Sequence, residues 1–160
     1  MWPVAKWPMS ASRLTELVLF LVSLIAIASV ALVAVVHLND TYHIDHVAGA
    51  WLGLAKYLDS GHVYPPLYDG EHFGGTRYMP LQFLLYGAVG HFAGDYLVAP
   101  KALSALIFVL LLVVLYAFVR GRGCPPAMTA ALVATVAVSF PGLFAATSTY
   151  GDALAVLLQL

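Results

Sequence analysis

The sequence predicts an all-α membrane protein with several transmembrane helices. Of its 160 residues, 62% are apolar and only 9% are charged, whereas a soluble domain is about half apolar and about a quarter charged. Two long stretches, 17–36 and 97–119, contain almost no charged residue. The polar segment 37–79 holds five of the six histidines and five of the eight acidic residues. We therefore expect transmembrane helices with the reactive side chains concentrated on one side of a membrane.

Charge and cysteine content argue against nucleic-acid binding and against structures built on several cysteines. The net charge of −1 is the opposite of the basic surface that binds nucleic acid. Cys124 is the single cysteine, so the chain forms no internal disulfide and offers no cysteine cluster for a metal. The sequence shows no internal repeat, and we treat residues 1–160 as a single transmembrane region.

The first predicted span covers residues 17–36. At about 1.5 Å per residue, its length of about 30 Å matches the hydrocarbon core of a bilayer. A cleaved signal peptide is the alternative, but its apolar region is usually about 7–15 residues long. The greater length here favours a retained membrane helix.

Two shorter helices are predicted between the first and second spans. Residues 45–59 place apolar side chains on one helical face, with Asp45 at the N-cap position. Charged residues at both ends of this helix indicate that it lies at the membrane surface. Residues 80–92 are mostly apolar, but as a helix they extend only about 20 Å. We predict that both are interfacial helices of a loop that covers residues 37–96.

The second half of the chain predicts further spans. Residues 97–119 form the second span, a basic turn follows, and residues 125–141 form the third. A short polar stretch, 147–152, precedes another apolar helix that starts near residue 152. Because the sequence stops eight residues after Asp152, within this helix, we expect the chain to be the N-terminal portion of a longer reading frame.

The positions of basic residues predict the orientation. Basic side chains precede the first span and follow the second: Lys6, Arg13, Arg120 and Arg122. Loops rich in lysine and arginine stay in the cytoplasm. Both basic segments are cytoplasmic only if residues 80–92 do not cross. The N-terminus is then inside, residues 37–96 are on the outer face, and Asp45 and Asp152 lie on the same side.

Several short motifs follow this order of elements: Ile44-Asp45-His46, Leu58-Asp59-Ser60-Gly61, Tyr78-Met79-Pro80-Leu81, Phe83-Leu84-Leu85-Tyr86, Leu103-Ser104-Ala105, Tyr116 to Arg120, Pro141 and Asp152. Their arrangement resembles the N-terminal part of the GT-C superfamily of membrane glycosyltransferases, in the ArnT-like, protein mannosyltransferase-like and RgtA/B/C/D-like groups. The chain departs from that pattern at His46, where the family usually has a glutamate, and it has fewer spans than family members.

The resemblance implies transfer of a sugar from a polyprenyl-phosphate donor to an acceptor on the outer face of the plasma membrane. Asp45 is then the candidate general base, which removes the proton of the acceptor hydroxyl. A purely structural role, capping of the following helix, is the alternative for Asp45. Asp40 is the second candidate base, although Asn39-Asp40-Thr41 has the composition of a turn.

Three further residues are candidates for substrate binding. Asp152 is a candidate ligand for acceptor or donor, or else a cap of the last helix. Arg77 is a candidate partner of the donor phosphate, because a guanidinium binds phosphate through two parallel hydrogen bonds. Lys101 is a third candidate, although a lysine near the end of a span is expected to extend towards the lipid headgroups.

Two other interpretations remain open. His43 and His46, with Asp40 or Asp45, form a possible divalent-metal site, but their spacing follows no recognised ligand pattern. Solvated or interfacial histidines are the simpler reading. For the whole chain, the alternative to an enzyme is a small non-enzymatic membrane scaffold or partner subunit with a histidine-rich outer loop.

Overall fold

A computed structural model describes residues 13–66, 68, 70–71 and 80–160. Over these residues the fold is all-helical. The elements are α1 (Arg13–Val36), α2 (His46–Tyr57), a short 3-10 helix (Leu58–Ser60), α3 (Leu81–Ala93), α4 (Val98–Gly121), α5 (Pro126–Val138), α6 (Phe140–Thr147) and α7 (Asp152–Gln159).

Two helices are long and apolar enough to cross a membrane. These are α1 and α4, each of 24 residues and about 36 Å in length. They contain most of the predicted spans 17–36 and 97–119. In an apolar stretch of 18 residues, only 17% of α1 is buried within the protein, and 22% of the corresponding stretch of α4. Such exposed apolar faces fit a hydrocarbon environment, and the chain is therefore described as a membrane protein.

The third predicted span, 125–141, differs from the observed structure. The chain forms two helices here, α5 and α6, whose axes differ by 69°. Ser139 lies between them with an extended backbone, and its hydroxyl accepts a hydrogen bond of 3.2 Å from the Gly142 backbone N–H. Pro141 has no N–H to continue the first helix, and it suits the first turn of a new one. If the bent pair counts as one span, the described chain has up to three.

The main apolar core lies between α1, α4, α5 and α6. It consists of seven buried residues: Val30, Ala34, Phe108, Leu112, Val133, Ala137 and Ala146. Three of them are alanines, and small side chains let helix backbones approach closely in membrane proteins. This packing holds the C-terminal half of α1 against the middle of α4, against α5 and against the end of α6.

A second core joins α2 to α3. Leu54 and Ala55 of α2 pack against Phe83 and Tyr86 of α3. A Cβ atom at Gly87 would lie only 3.0 Å from the Ala55 carbonyl oxygen, so glycine permits this close approach. The helices predicted at 45–59 and 80–92 thus correspond to α2 with its 3-10 extension and to α3. Their position at the membrane surface stays a prediction.

Both ends of α3 contact residues at the same end of the helix bundle. Its first turn places Gln82 against Gly151, just before α7. Near its last turn, the Tyr96 ring covers Gly90, and the Tyr96 hydroxyl donates a 2.6 Å hydrogen bond to Asp59 after α2. Burial and this bond raise the pKa of Tyr96 to about 12, with the Asp59 hydrogen bond as the larger cause.

The bend between α5 and α6 should depend on Gly142. A Cβ atom there would overlap the Val136 carbonyl oxygen and lie 2.8 Å from that of Ala137, which are backbone atoms that cannot rotate away. We expect Gly142→Ala to lower the free energy of unfolding by about 1–3 kcal/mol, as overpacking does. Thermal unfolding in detergent micelles measures the change.

The matched control is Gly53→Ala, at an exposed helical position with no atom within 4 Å of the added Cβ. It should be neutral or stabilising, since alanine favours helix. Equal stability of the Gly142→Ala variant and the wild type would contradict this account of the bend.

Candidate functional site

Two distant segments of the chain meet beside the start of α2. One is the loop of residues 37–45 that follows α1, called here the first loop. The other is residues 147–151, which join α6 to α7 and are called here the second connector. Asp45 of the first loop accepts a 2.5 Å hydrogen bond at Oδ2 from the Tyr150 hydroxyl of the second connector. A second bridge runs from the Thr149 hydroxyl to the Ala48 carbonyl oxygen, at 3.3 Å.

Asp45 is the N-cap of α2. Its Oδ1 accepts hydrogen bonds from the backbone N–H groups of Val47 and Ala48, at 2.9 and 3.0 Å. The structure therefore shows the capping role that the sequence suggested. The Tyr150 hydroxyl, followed by the Ala48 backbone N–H, lowers the pKa of Asp45 from its ordinary value. Asp45 is thus an exposed carboxylate that is ionised at neutral pH.

His43 has an unusual backbone conformation and a fixed ring. Its φ of 55° lies in the left-handed region, which non-glycine residues seldom adopt and which is enriched at functional sites. The ring stacks on Tyr42 at 4.0 Å and lies 5.1 Å from Phe144. Its Nδ1 is 2.7 Å from the Thr147 hydroxyl oxygen, which in turn is 2.8 Å from the Leu143 carbonyl oxygen.

These two short distances determine the proton positions around His43. The Thr147 hydroxyl has one hydrogen, so both contacts are hydrogen bonds only if Thr147 donates to Leu143 and the Nδ1–H donates to Thr147. Burial first, and then the positive charge of Lys101, lower the pKa of His43. At neutral pH the ring is therefore neutral, and its Nε2 is an acceptor without a hydrogen-bond partner among the described residues.

Lys101 differs most from expectation. Instead of extending towards the headgroups, its side chain is 1% exposed. Its ammonium group donates to the carbonyl oxygens of His37, Asp40 and Tyr42, the last two at 3.1 and 3.4 Å. An ammonium has three N–H bonds, so all three are used within the protein. All three donors of Lys101 are thus directed at the first loop, and its role in substrate binding stays a prediction.

Asp40 has the turn structure that its neighbours suggested. Its Oδ1 accepts a 2.8 Å bond from the Tyr42 backbone N–H, and its Oδ2 lies 2.7 Å from His37 Nδ1. The bond to His37 is the main cause that lowers the pKa of Asp40, followed by the Tyr42 N–H. Lys101 Nζ is 3.7 Å from Oδ1. Both carboxylate oxygens of Asp40, the second candidate base, thus have partners within the protein.

The remaining predicted site residues are less closely involved. Gly151, and not Asp152, is the N-cap of α7; Asp152 lies exposed in the first turn, where a negative charge favours the helix dipole. His46 is the exposed first residue of α2. Arg77 lies outside the described residues. Within the described part of the chain, no three histidine, cysteine or acidic side chains come together as a metal site would require.

The sequence did not single out Thr147 or Tyr150. Their only visible signal was that polar residues interrupt an apolar stretch between α6 and α7. In the structure Thr147, Ser148 and Thr149 are almost fully buried, at 1%, 0% and 0% exposure. Buried hydroxyls need hydrogen-bond partners, and two of the three find theirs in the first loop or the first turn of α2.

Comparison of this chain with protein-family models, with curated proteins and with solved structures finds no match.

The Tyr150–Asp45 contact predicts a change in proton affinity. In Tyr150→Phe the largest cause of the low Asp45 pKa is lost while both capping N–H groups remain, so the pKa of Asp45 should rise. A carboxyl with a lowered folded-state pKa stabilises the fold above its unfolded pKa, about 3.9. That contribution is lost as the pH falls through the folded-state value. The variant should therefore lose less stability on acidification than the wild type.

A carbon-13 NMR titration of the Asp45 carboxyl in micelles measures this pKa. Tyr57→Phe, which alters a tyrosine at the other end of α2, is the control and should leave the Asp45 titration unchanged. An unaltered pKa in Tyr150→Phe would show that the contact does not lower the pKa of Asp45.

Proposed function

We propose that the chain is a membrane glycosyltransferase, or the N-terminal portion of one. In this proposal it transfers a sugar from a polyprenyl-phosphate donor to an acceptor hydroxyl at the outer face of the plasma membrane, with its N-terminus in the cytoplasm. The observation that supports it is the Asp45 carboxylate, joined by Tyr150 to the second connector at the end of two candidate membrane helices. The GT-C resemblance of the sequence places the catalytic aspartate at this same residue.

The geometry at Asp45 suggests how a proton would be accepted. Oδ1 is occupied by two backbone N–H groups, whereas Oδ2 has the hydroxyl of Tyr150 at 2.5 Å. An acceptor hydroxyl that displaced Tyr150 would meet a carboxylate oxygen already ionised and suited to an O–H donor. The acceptor oxygen then bonds to the anomeric carbon of the donor sugar, its proton passes to Oδ2, and the bond to phosphate breaks with its electrons on the phosphate oxygen.

Asp45 remains a weak base even when the acceptor displaces Tyr150, because an unperturbed aspartate has a pKa of about 3.9. A weak base removes a proton effectively only once the oxygen has begun to bond and has become more acidic. Proton transfer would therefore accompany bond formation and not precede it. The leaving phosphate also needs positive charge or hydrogen-bond donors. Arg77 remains the candidate for this role and Asp152 for acceptor binding, while the donors of Lys101 are already used.

A non-enzymatic membrane scaffold is the second candidate. Its support is that the charged groups of the first loop all have partners within the protein, as a purely structural loop would. A partner subunit would then use the exposed histidines of the polar segment, such as His46 and His62, for contacts. Loss or retention of sugar transfer in defined variants separates the two candidates.

Asp45→Asn should abolish transfer with little effect on folding. Asparagine retains the size and the capping ability of aspartate but cannot accept a proton. Loss of a general base costs about 10²–10⁴-fold in rate. The assay is sugar transfer in membranes containing a polyprenyl-phosphate donor, with the reading frame expressed in full. Donor binding should largely survive, since the base acts on the acceptor.

Asp95→Asn is a matched control. Asp95 accepts two bonds of 2.7 Å from the N–H groups of Leu97 and Val98 at the start of α4, which is the same pattern of bonds, two and three residues ahead, that Asp45 makes. That variant should transfer sugar at the normal rate, and Asp40→Asn should lose much less than Asp45→Asn. Near-normal turnover in Asp45→Asn would reduce Asp45 to a helix cap and favour the scaffold.

A further inference from the structure

We propose that Lys101 is a positioning residue, whose buried ammonium group acts as an internal cation that organises the first loop and presents His43 and Asp45. The catalytic part of this proposal rests on the proposed function. The structural part, the effect of the ammonium on the loop, is independent of it and has its own measurement below.

The surroundings of Lys101 resemble a cation site made of oxygen atoms. The carbonyl oxygens of residues 37, 40 and 42 accept hydrogen bonds from its three N–H groups. A carboxylate oxygen of Asp40 lies 3.7 Å from Nζ. Carbonyl and carboxylate oxygens are the ligands that hard cations take in proteins. The ammonium is a compact point charge, so it can serve several converging oxygens at once. Because its side chain is 1% exposed, water cannot replace these bonds without opening the loop.

Within the described part of the chain, the backbone hydrogen bonds of the first loop do not join it to any distant part of the fold. Its backbone hydrogen bonds are local: two continue the end of α1, and the Ile44 N–H donates to the Thr41 carbonyl oxygen at 2.9 Å. Lys101, in contrast, links residues 37, 40 and 42 of this loop to α4, over sequence separations of 59 to 64 residues. Lys101 therefore ties the loop to α4, a candidate membrane-spanning helix.

One of these bonds bears directly on His43. The Tyr42 carbonyl that accepts from Lys101 belongs to the peptide group whose nitrogen is that of His43. Fixing the plane of that peptide supports the left-handed φ of 55° at His43, a conformation that persists only when its surroundings impose it. Asp45 follows two residues later, where the chain enters α2. A change at Lys101 should therefore displace the site without touching a substrate.

Replacement of Lys101 should release the loop selectively. In Lys101→Ala three carbonyl oxygens lose their partner, and we expect hydrogen exchange at the Tyr42 and Ile44 amides to accelerate about tenfold or more. The amides of α5, residues 126–138, should keep their protection. Butylammonium added to the purified variant should restore protection, because it supplies an ammonium group on an alkyl chain like that of lysine. Lys56→Ala, at an exposed lysine of α2, is the control and should leave hydrogen exchange unchanged both in the first loop and in α5.

Lys101→Met keeps the apolar length of the side chain and serves as a second variant. Faster exchange confined to residues 37–45, reversed by butylammonium in the alanine variant, supports the proposal. Unchanged exchange at Tyr42 and Ile44 overturns it. Exchange that accelerates throughout the chain in both variants and is not reversed by butylammonium also overturns it, because it would assign Lys101 to general packing.

The sugar-transfer assay tests the catalytic part of the proposal for Lys101. In Lys101→Ala kcat should fall and butylammonium should raise it again, with KM for the lipid donor little changed. An unchanged kcat in a variant whose loop exchanges faster would show that the loop geometry does not serve the reaction. Absence of transfer in the wild type would contradict the proposed function, while the exchange data would still decide whether Lys101 organises the loop.

Discussion

The buried charge of Lys101 is the constraint on which the candidate site depends. A charged group is stable in a low-dielectric environment only if acceptors satisfy its donors. The first loop supplies those acceptors by folding three of its carbonyl oxygens over the ammonium. The left-handed conformation of His43 and the entry into α2 at Asp45 follow directly after that turn. One ion at a helix terminus thus sets the path of the loop.

The second connector completes the arrangement through hydroxyl groups. Thr147 fixes the tautomer of His43, and the hydrogen bond from Tyr150 lowers the pKa of Asp45. His43 Nε2 and the exposed Asp45 carboxylate are consequently both hydrogen-bond acceptors. Such a pair suits a ligand that offers hydroxyl donors and discriminates against anions. This chemistry agrees with an acceptor hydroxyl at this position, and it requires the donor phosphate to find its positive partners elsewhere.

Sequence reasoning located the helices better than it located the site. Length and hydrophobicity identify α1 and α4, and helical periodicity identifies α2, because those properties are local. The break at Ser139 was missed because a proline and a glycine near the end of an apolar stretch also fit a simple helix end. The Asp45–Tyr150 contact joins residues 105 positions apart, and no local pattern reports it. Lys101 was expected to extend towards headgroups because hydropathy does not show which carbonyl oxygens will surround a lysine.

The central claim is that the first loop and the second connector form one site on the same side of the membrane. Cross-linking in membrane vesicles tests it most directly, with Asp45→Cys and Tyr150→Cys introduced into a Cys124→Ser background and a short bifunctional thiol reagent. We expect an efficient intramolecular cross-link. The control pairs Asp45→Cys with the native Cys124, which follows the far end of α4, a helix about 36 Å long, and should not react. No cross-link between positions 45 and 150, or labelling of the two cysteines from opposite sides of the membrane, would contradict the claim.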